Sequence, residues 1–285
     1  MTHAFSVDVE DWYQGVGIPA SRWDRFESRI RRSMGELLDL MAKHDVQATC
    51  FVLGKVAAEH PRLVRAIHDA GHEVASHGWV HRKVYDLTPE GFRRRLRRSV
   101  EVLEAVTGEA VAGYRAPYFS IAESSRWALD VLTEEGLRYD SSLHPIVHWR
   151  PTMRVAGRLP SALTTPQGRT LFEVPVSTFP LMGANLPVGG GAYMRLYPSA
   201  LWRAALRRLA NGRGERLSLY AHPWELDPEQ PRLSSLSFPT NLTHYVNLRS
   251  TRAKLEGLFR AFSFAPYREV FSERIENDRV PADAW

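Results

Sequence analysis

The 285-residue chain holds a single cysteine, so no intramolecular disulfide can form. Cys50 lies in the β-rich apolar run ATCFVL and is expected to pack rather than react. Long apolar runs are also missing. None approaches the roughly 20 residues that a bilayer-spanning helix needs. Nothing at the start resembles a signal peptide, because a charged strand begins almost at Met1. A soluble, cytoplasmic chain is the expectation, at most touching the inner membrane surface. No motif that reads RNA or DNA accompanies the net charge of +5, so nucleic acid is not expected as a partner. Low-complexity segments, internal repeats and linkers are absent too.

What is present fits one α/β domain. The chain is 44% hydrophobic, with eight tryptophans, enough to bury a large core. Apolar and turn residues alternate regularly. Strands are expected at 3–9, 48–53, 72–77, 111–117, 138–141 and 216–222. Helices are expected at 29–46, from Pro61 to near Gly71, from Thr88 to Thr107, and over 122–135 and 249–262. That rhythm implies right-handed βαβ units and a mostly parallel sheet, closed or nearly closed as a barrel. Over 143–200 the alternation lapses into Pro-rich short strands, which suggests a loop or hairpin insertion. Much of the positive charge sits in FRRRLRRSV, residues 92–100. It reads as the solvated face of a helix, or as a surface attracted to an acidic glycan or anionic membrane.

In such folds the chemistry gathers beyond the carboxyl ends of the strands. Those ends carry Asp8, Glu10 and Asp11, then His77 and His81, then Arg115, Pro117 and Tyr118, then Asp140, then His222. Asp8 and Glu10 share a face of an extended strand. Side by side without a cation, one of them would have to stay protonated. A divalent ion removes that difficulty; capping the next helix, or pairing with Arg22, Arg25 or Arg29, is the structural alternative. Of three histidine pairs at i, i+4, His68/His72 straddles Gly71 and His144/His148 spans Pro145. Only SHGWVH directly follows a buried strand, where one helical turn would aim His77 and His81 at one point.

In order along residues 4–225, SVDVED, SHGWVH, RAPY, YDSS and LYAH resemble the five motifs of the polysaccharide deacetylase family. The tail, with GGGAYMRLYP, YAHPWELDPEQPRL and HYVNLR, is similar to a subgroup found with exopolysaccharide and exosortase loci in bacteria. The resemblance implies a deformed (β/α) barrel forming one catalytic domain over 1–285, with residues 226–285 packed on the barrel as an extension. It implies a metal-dependent hydrolase that removes N-acetyl groups from a polysaccharide or lipid-linked glycan. Where the family has an Asp pair, its second member falls on Val9. Glu10 is therefore assigned as metal ligand with His77 and His81, and Asp11 is held in reserve. The ion expected is zinc, with nickel or cobalt as alternatives.

The same resemblance makes Asp8 the base, oriented by Arg115. The backbone N–H of Tyr118, set by Pro117, would receive the oxyanion. His222 would be the acid, kept charged by Asp140. Arg115 could equally be a structural ion pair, and His222 a buried hydrogen-bonded ring. Trp12, Trp79 and Trp224 could line a sugar platform, although core packing explains each as well. Two other functions stay open: a hydrolase of the same barrel acting on another non-peptide C–N bond, with or without metal, and a catalytically silent glycan binder of exopolysaccharide assembly.

Overall fold

The computed structural model describes residues 1–146, 153 and 157–277. His148 of the third histidine pair, and the end of the expected 226–285 extension, lie outside the described residues. Strand β1, Thr2–Val9, is buried over all but its first residue, as a strand flanked on both edges must be. Helix α1 (Ile30–Lys43) leads to β2 (Thr49–Val52). Two short helices follow, α2 (Gly54–Glu59) and α3 (Pro61–Asp69), then β3 (Glu73–Ser76). Helix α4, Pro89–Thr107, starts where Thr88 Oγ1 accepts the Gly91 N–H and stops at left-handed Gly108. Strand β4 (Gly113–Tyr114), helix α5 (Trp127–Glu134) and strand β5 (Tyr139–Asp140) complete the first run.

The second part of the chain is less regular. It contains β6 (Ser161–Thr164), β7 (Thr170–Glu173), β8 (Thr178–Leu181) and β9 (Ala184–Pro187). Helices α6 (Gly191–Leu196) and α7 (Ser199–Arg213) precede β10 (Ser218–Ala221). After it come α8 (Phe238–Tyr245), α9 (Thr251–Phe259), β11 (Ser263–Ala265), α10 (Tyr267–Val270) and α11 (Ser272–Asn277).

The main sheet runs β10-β1-β2-β3-β4-β5-β7-β6, parallel except for the β6–β7 pair. β11 pairs with the opening residues of β1, Thr2–Ala4. Among the described residues no strand ladder joins β7 to β10. The gap is spanned by loop hydrogen bonds: Ser177 N–H to Ser218 O (3.0 Å) and Tyr220 N–H to Gly189 O (2.8 Å). This is the deformed barrel, curved almost to closure but not laced shut.

The insertion expected over 143–200 needs correcting. β7 lies inside that stretch yet pairs in parallel with β5, so it is a barrel strand; the hairpin β8–β9 stands apart as a two-stranded sheet. The expected helix 61–71 is preceded by α2, which short Gly-Lys-Val-Ala-Ala-Glu gave no period to reveal. In VGGGAY, a Cβ on Gly190 would collide with the Tyr220 carbonyl, so that glycine permits close backbone approach at the barrel seam. No helix among the described residues is long and apolar enough to cross a membrane.

Candidate metal centre and its surroundings

Strand β1 delivers two acids to one end of the barrel. Asp8 is 3% and Glu10 2% exposed. Burying either as an anion is costly unless cations or donors surround it. For Asp8 the answer is Arg115, which follows β4 and is fully buried. Its Nη1 donates to Asp8 Oδ1 at 2.6 Å. The other N–H groups donate to Ser6 Oγ, Ser141 O, Ser141 Oγ and Tyr267 OH, so all five guanidinium donors are used. Burial alone would lower the Arg115 pKa, but the Asp8 charge more than offsets it and the net shift is upward. Arg115 is therefore a permanent, rigid counter-charge for Asp8.

Glu10 faces histidines instead. Its Oε2 lies 2.9 Å from His81 Nε2, and its Oε1 accepts the Trp224 indole N–H at 3.2 Å. Burial pushes the Glu10 carboxyl up, but His81, His222 and His77 together hold it down at about 2. His77 sits just past β3, and its Nδ1 lies 2.8 Å from the Arg115 carbonyl oxygen. A carbonyl can only accept, so Nδ1 carries the proton and Nε2 keeps its lone pair. Burial lowers the His77 pKa to about 4, leaving the ring neutral near pH 7.

One ligand atom from each of Glu10, His77 and His81 lies within 4.8 Å of the other two. Despite its closeness to His81, Glu10 Oε2 has no hydrogen-bond partner, and neither has His81 Nδ1. A buried carboxylate oxygen that meets only His81, beside a neutral imidazole whose free nitrogen is fixed by its tautomer, suits a divalent cation. These residues could hold one, and the N/O donor set matches zinc chemistry.

Asp11 does not compete for that place. Its Oδ1 accepts the Trp12 N–H, while Oδ2 accepts Ser28 Oγ and the Arg29 and Ile30 N–H groups at the start of α1. It caps the helix, the structural alternative raised for these acids.

His222 follows β10 and looks across at both acids, with Nε2 3.9 Å from Asp8 Oδ2 and 3.8 Å from Glu10 Oε1. Its expected partner, Asp140, is elsewhere. Asp140 accepts Ser142 Oγ at 2.5 Å and opposes Glu173 across the β5–β7 pair. The partner of His222 is Glu225, whose Oε1 lies 2.6 Å from Nδ1. Arg195, from α6, donates to the other Glu225 oxygen at 2.9 Å. Burial opposes a charge on His222, but Glu225, Glu10 and Asp8 together raise its pKa. Glu225 and Arg195 were missed in the sequence. The one available signal was the acid three residues after His222 in HPWE; Arg195 gave none.

The tryptophans separate. Trp224 lines the cleft between the rings of His222 and His244, stacked on both at 25° with centroids 4.9 and 4.2 Å away. Trp12 is 2% exposed and donates to Glu27 O, packed edge-on against Tyr13 and Phe26. Trp79 lies under the Arg98 guanidinium, 3.8 Å from its ring centre, and is not among the cleft-lining residues. Neither Trp12 nor Trp79 is placed as a sugar platform. Pro117 is buried and is not among the cleft-lining residues, whereas Tyr118 is. Tyr118 and Phe119 hold left-handed φ values of 58° and 53°, a conformation that non-glycine residues adopt at a cost. The Tyr118 ring meets His81 edge-on at 4.2 Å. The cleft these groups surround has a volume of about 290 Å³.

Comparison with known proteins divides the chain in two. Residues 24–139 match the polysaccharide deacetylase family model, and residues 141–272 match a domain of unknown function. A peptidoglycan deacetylase of Helicobacter pylori is 32% identical over 145 residues, 49% of this chain and 48% of its own length. A chitooligosaccharide deacetylase of Rhizobium leguminosarum is 31% identical over 115 residues, covering 40% of this chain and 49% of the relative. The chain thus spans about half the length of these curated relatives. A solved structure from Mycobacterium smegmatis that carries the polysaccharide deacetylase name is 24% identical. It covers 98% of this chain and 91% of its own, with a TM-score of 0.66, which shows the shared fold.

Proposed function

We propose that this chain, whose residues 24–139 match the polysaccharide deacetylase family model, hydrolyses N-acetyl groups from amino sugars of a polysaccharide or lipid-linked glycan, with one divalent ion bound. The observation that carries this reading is the convergence of Glu10, His77 and His81 beside an arginine-held Asp8, with His222 opposite. On this reading residues 1–285 work as one catalytic unit, because the second half supplies His222.

Glu10, His77 and His81 would hold the divalent ion, which when bound would supply Lewis acidity and a lowered water pKa. The mixed imidazole–carboxylate set favours zinc, with nickel or cobalt as alternatives. Asp8, paired with the Arg115 guanidinium, takes the proton from the attacking water. The backbone N–H of Tyr118 is the donor for the amide oxygen as it becomes negative. His222, held toward its charged form by Glu225, gives a proton to the departing amine. Trp224 orders this side: its indole N–H fixes Glu10 while its ring face stacks on His222.

The test is acetate release from an N-acetylglucosamine oligomer by metal-loaded protein, with and without a chelator. Release that stops with chelation and returns with zinc supports the reading. No release from polymeric or lipid-linked substrates with the metal site filled overturns it.

A further inference from the structure

The arginines of α4 do not share one fate. Arg93 and Arg97 pair with Glu134 and Glu135 at the end of α5, and Arg98 stacks on Trp79. Arg95 turns to a second cavity, of about 400 Å³, which it lines together with Arg82 and Lys83. That cavity adjoins the metal centre, for His81 and Tyr118 line both. The Tyr118 ring stands between them, with His81 at 4.2 Å and Lys83 Nζ at 5.7 Å from its centre.

Charge in this cavity is one-sided. Asp86 is the single acid among the lining residues, and Arg82 reaches its carbonyl oxygen rather than its carboxylate. Among the described residues Arg82, Lys83 and Arg95 have no salt bridge. Burial, with the neighbouring charges of Arg82 and Arg94, lowers the Arg95 pKa. Three cations lining one hollow with a single acid among them repel one another, and a bound anion relieves that repulsion. An arginine fork beside a lysine point charge suits a carboxylate or a phosphate. A merely solvated face would spread its cations over a convex surface; here they line a hollow sharing a wall with the reaction centre.

We propose that this cavity is a subsite for an anionic group, carboxylate or phosphate, borne by the glycan next to the N-acetyl group that is cleaved. The proposal rests on the deacetylase reading and narrows its substrate to an acidic or phosphate-linked glycan.

Three probes test it on the metal-loaded protein: a neutral N-acetylglucosamine tetramer, a tetramer alternating N-acetylglucosamine with glucuronate, and pyrophosphate-linked N-acetylglucosamine. Binding is measured by calorimetry at low and high salt, and acetate release separately. At low salt an acidic probe should bind about tenfold or more tightly than the neutral tetramer, an advantage that shrinks with salt. The double variant Lys83→Gln/Arg95→Gln, and Lys83→Gln alone to a smaller extent, should lose that advantage. Arg97→Gln, on the same helix but paired with Glu135, should keep it. Whichever acidic probe binds better identifies the source of the anion. Equal binding of neutral and acidic probes, or an advantage that survives the double variant, overturns the subsite. Acetate release with equal binding would leave the deacetylase standing without it. Variant-sensitive acidic binding without any acetate release would do the reverse.

Discussion

The two halves of the chain contribute opposite sides of one cleft. The first, up to β5, brings the carboxylate and both imidazoles that could hold a metal, and also Asp8 with its arginine. The second, matching a domain of unknown function, brings His222 with Glu225 and Arg195, and the aromatic wall of Trp224 and His244. The first side is built from strand ends in a regular βαβ frame, so its ligands are held by the sheet itself. The second joins one strand end, His222 after β10, to loops and short helices after an irregular stretch, so its groups are held largely by one another. Chemistry common to a family can sit on the rigid side, while the wall that chooses the substrate can vary on the other.

Removing a ligand on the rigid side should have the largest effect. His77→Ala should cut bound metal from one equivalent per chain to near none and abolish acetate release, as measured by elemental analysis and product assay. Retained metal with retained activity would end the assignment. Asp8→Asn comes next. It keeps the hydrogen bond from Arg115 but cannot take a proton, so kcat should fall by roughly 10²–10⁴ with metal content unchanged. A binder without catalytic function would lose little.

On the second side, Glu225→Gln separates charge from shape. Glutamine still accepts a hydrogen bond from Arg195, but the anion that raises the His222 pKa is gone. A general acid is needed protonated, so activity falls as pH rises through its pKa. Lowering that pKa should move the alkaline limb of kcat/KM to lower pH by about one unit. An unmoved limb would place the acid elsewhere.

The same contrast explains what the sequence could and could not show. SVDVED and SHGWVH are contiguous, follow buried strands, and owe their geometry to strand alternation and one turn of chain, so Glu10, His77 and His81 were legible. Arg115 was legible as the residue after a strand on the same rim. Asp140 was misread because its place at a strand end was right while its orientation was not: it faces Glu173 on β7, a strand hidden in the stretch read as an insertion. Tryptophans cannot be sorted by type alone, since Trp12, Trp79 and Trp224 differ only in what packs around them. Arg195 meets Glu225 across 30 residues, a pairing that no local pattern encodes.

Asp11 tests whether adjacent acids in one motif divide their labour. Asp11→Ala should leave metal content intact and instead lower stability by about 2 kcal/mol, because the first turn of α1 and the Ser28 hydroxyl lose a buried acceptor. Denaturant unfolding beside metal analysis checks both halves of that expectation. Loss of metal without loss of stability would return Asp11 to the ligand set.

The smallest effect concerns acid, and it distinguishes the seam between the two regions from the interior of the first. His3 Nδ1 accepts the Leu217 N–H at 3.2 Å, tying β1 to the strand that precedes His222. His72 Nδ1 accepts the Ala48 N–H at 3.1 Å, wholly within the first region. A nitrogen that accepts cannot also carry a proton, and burial lowers both rings to about 4 from the ordinary 6.5. Well above pH 6.5 the rings are neutral folded or unfolded and contribute no pH dependence. As pH falls toward 4 the unfolded chain binds protons that the folded chain refuses, so stability is lost across that window, by up to about 2 kcal/mol for each ring. His3→Gln and His72→Gln each keep an acceptor but cannot titrate, so each should flatten the slope of unfolding free energy against pH. If only His3→Gln flattens it, acid opens the chain first at the seam between the two regions; equal flattening means that they unfold as one.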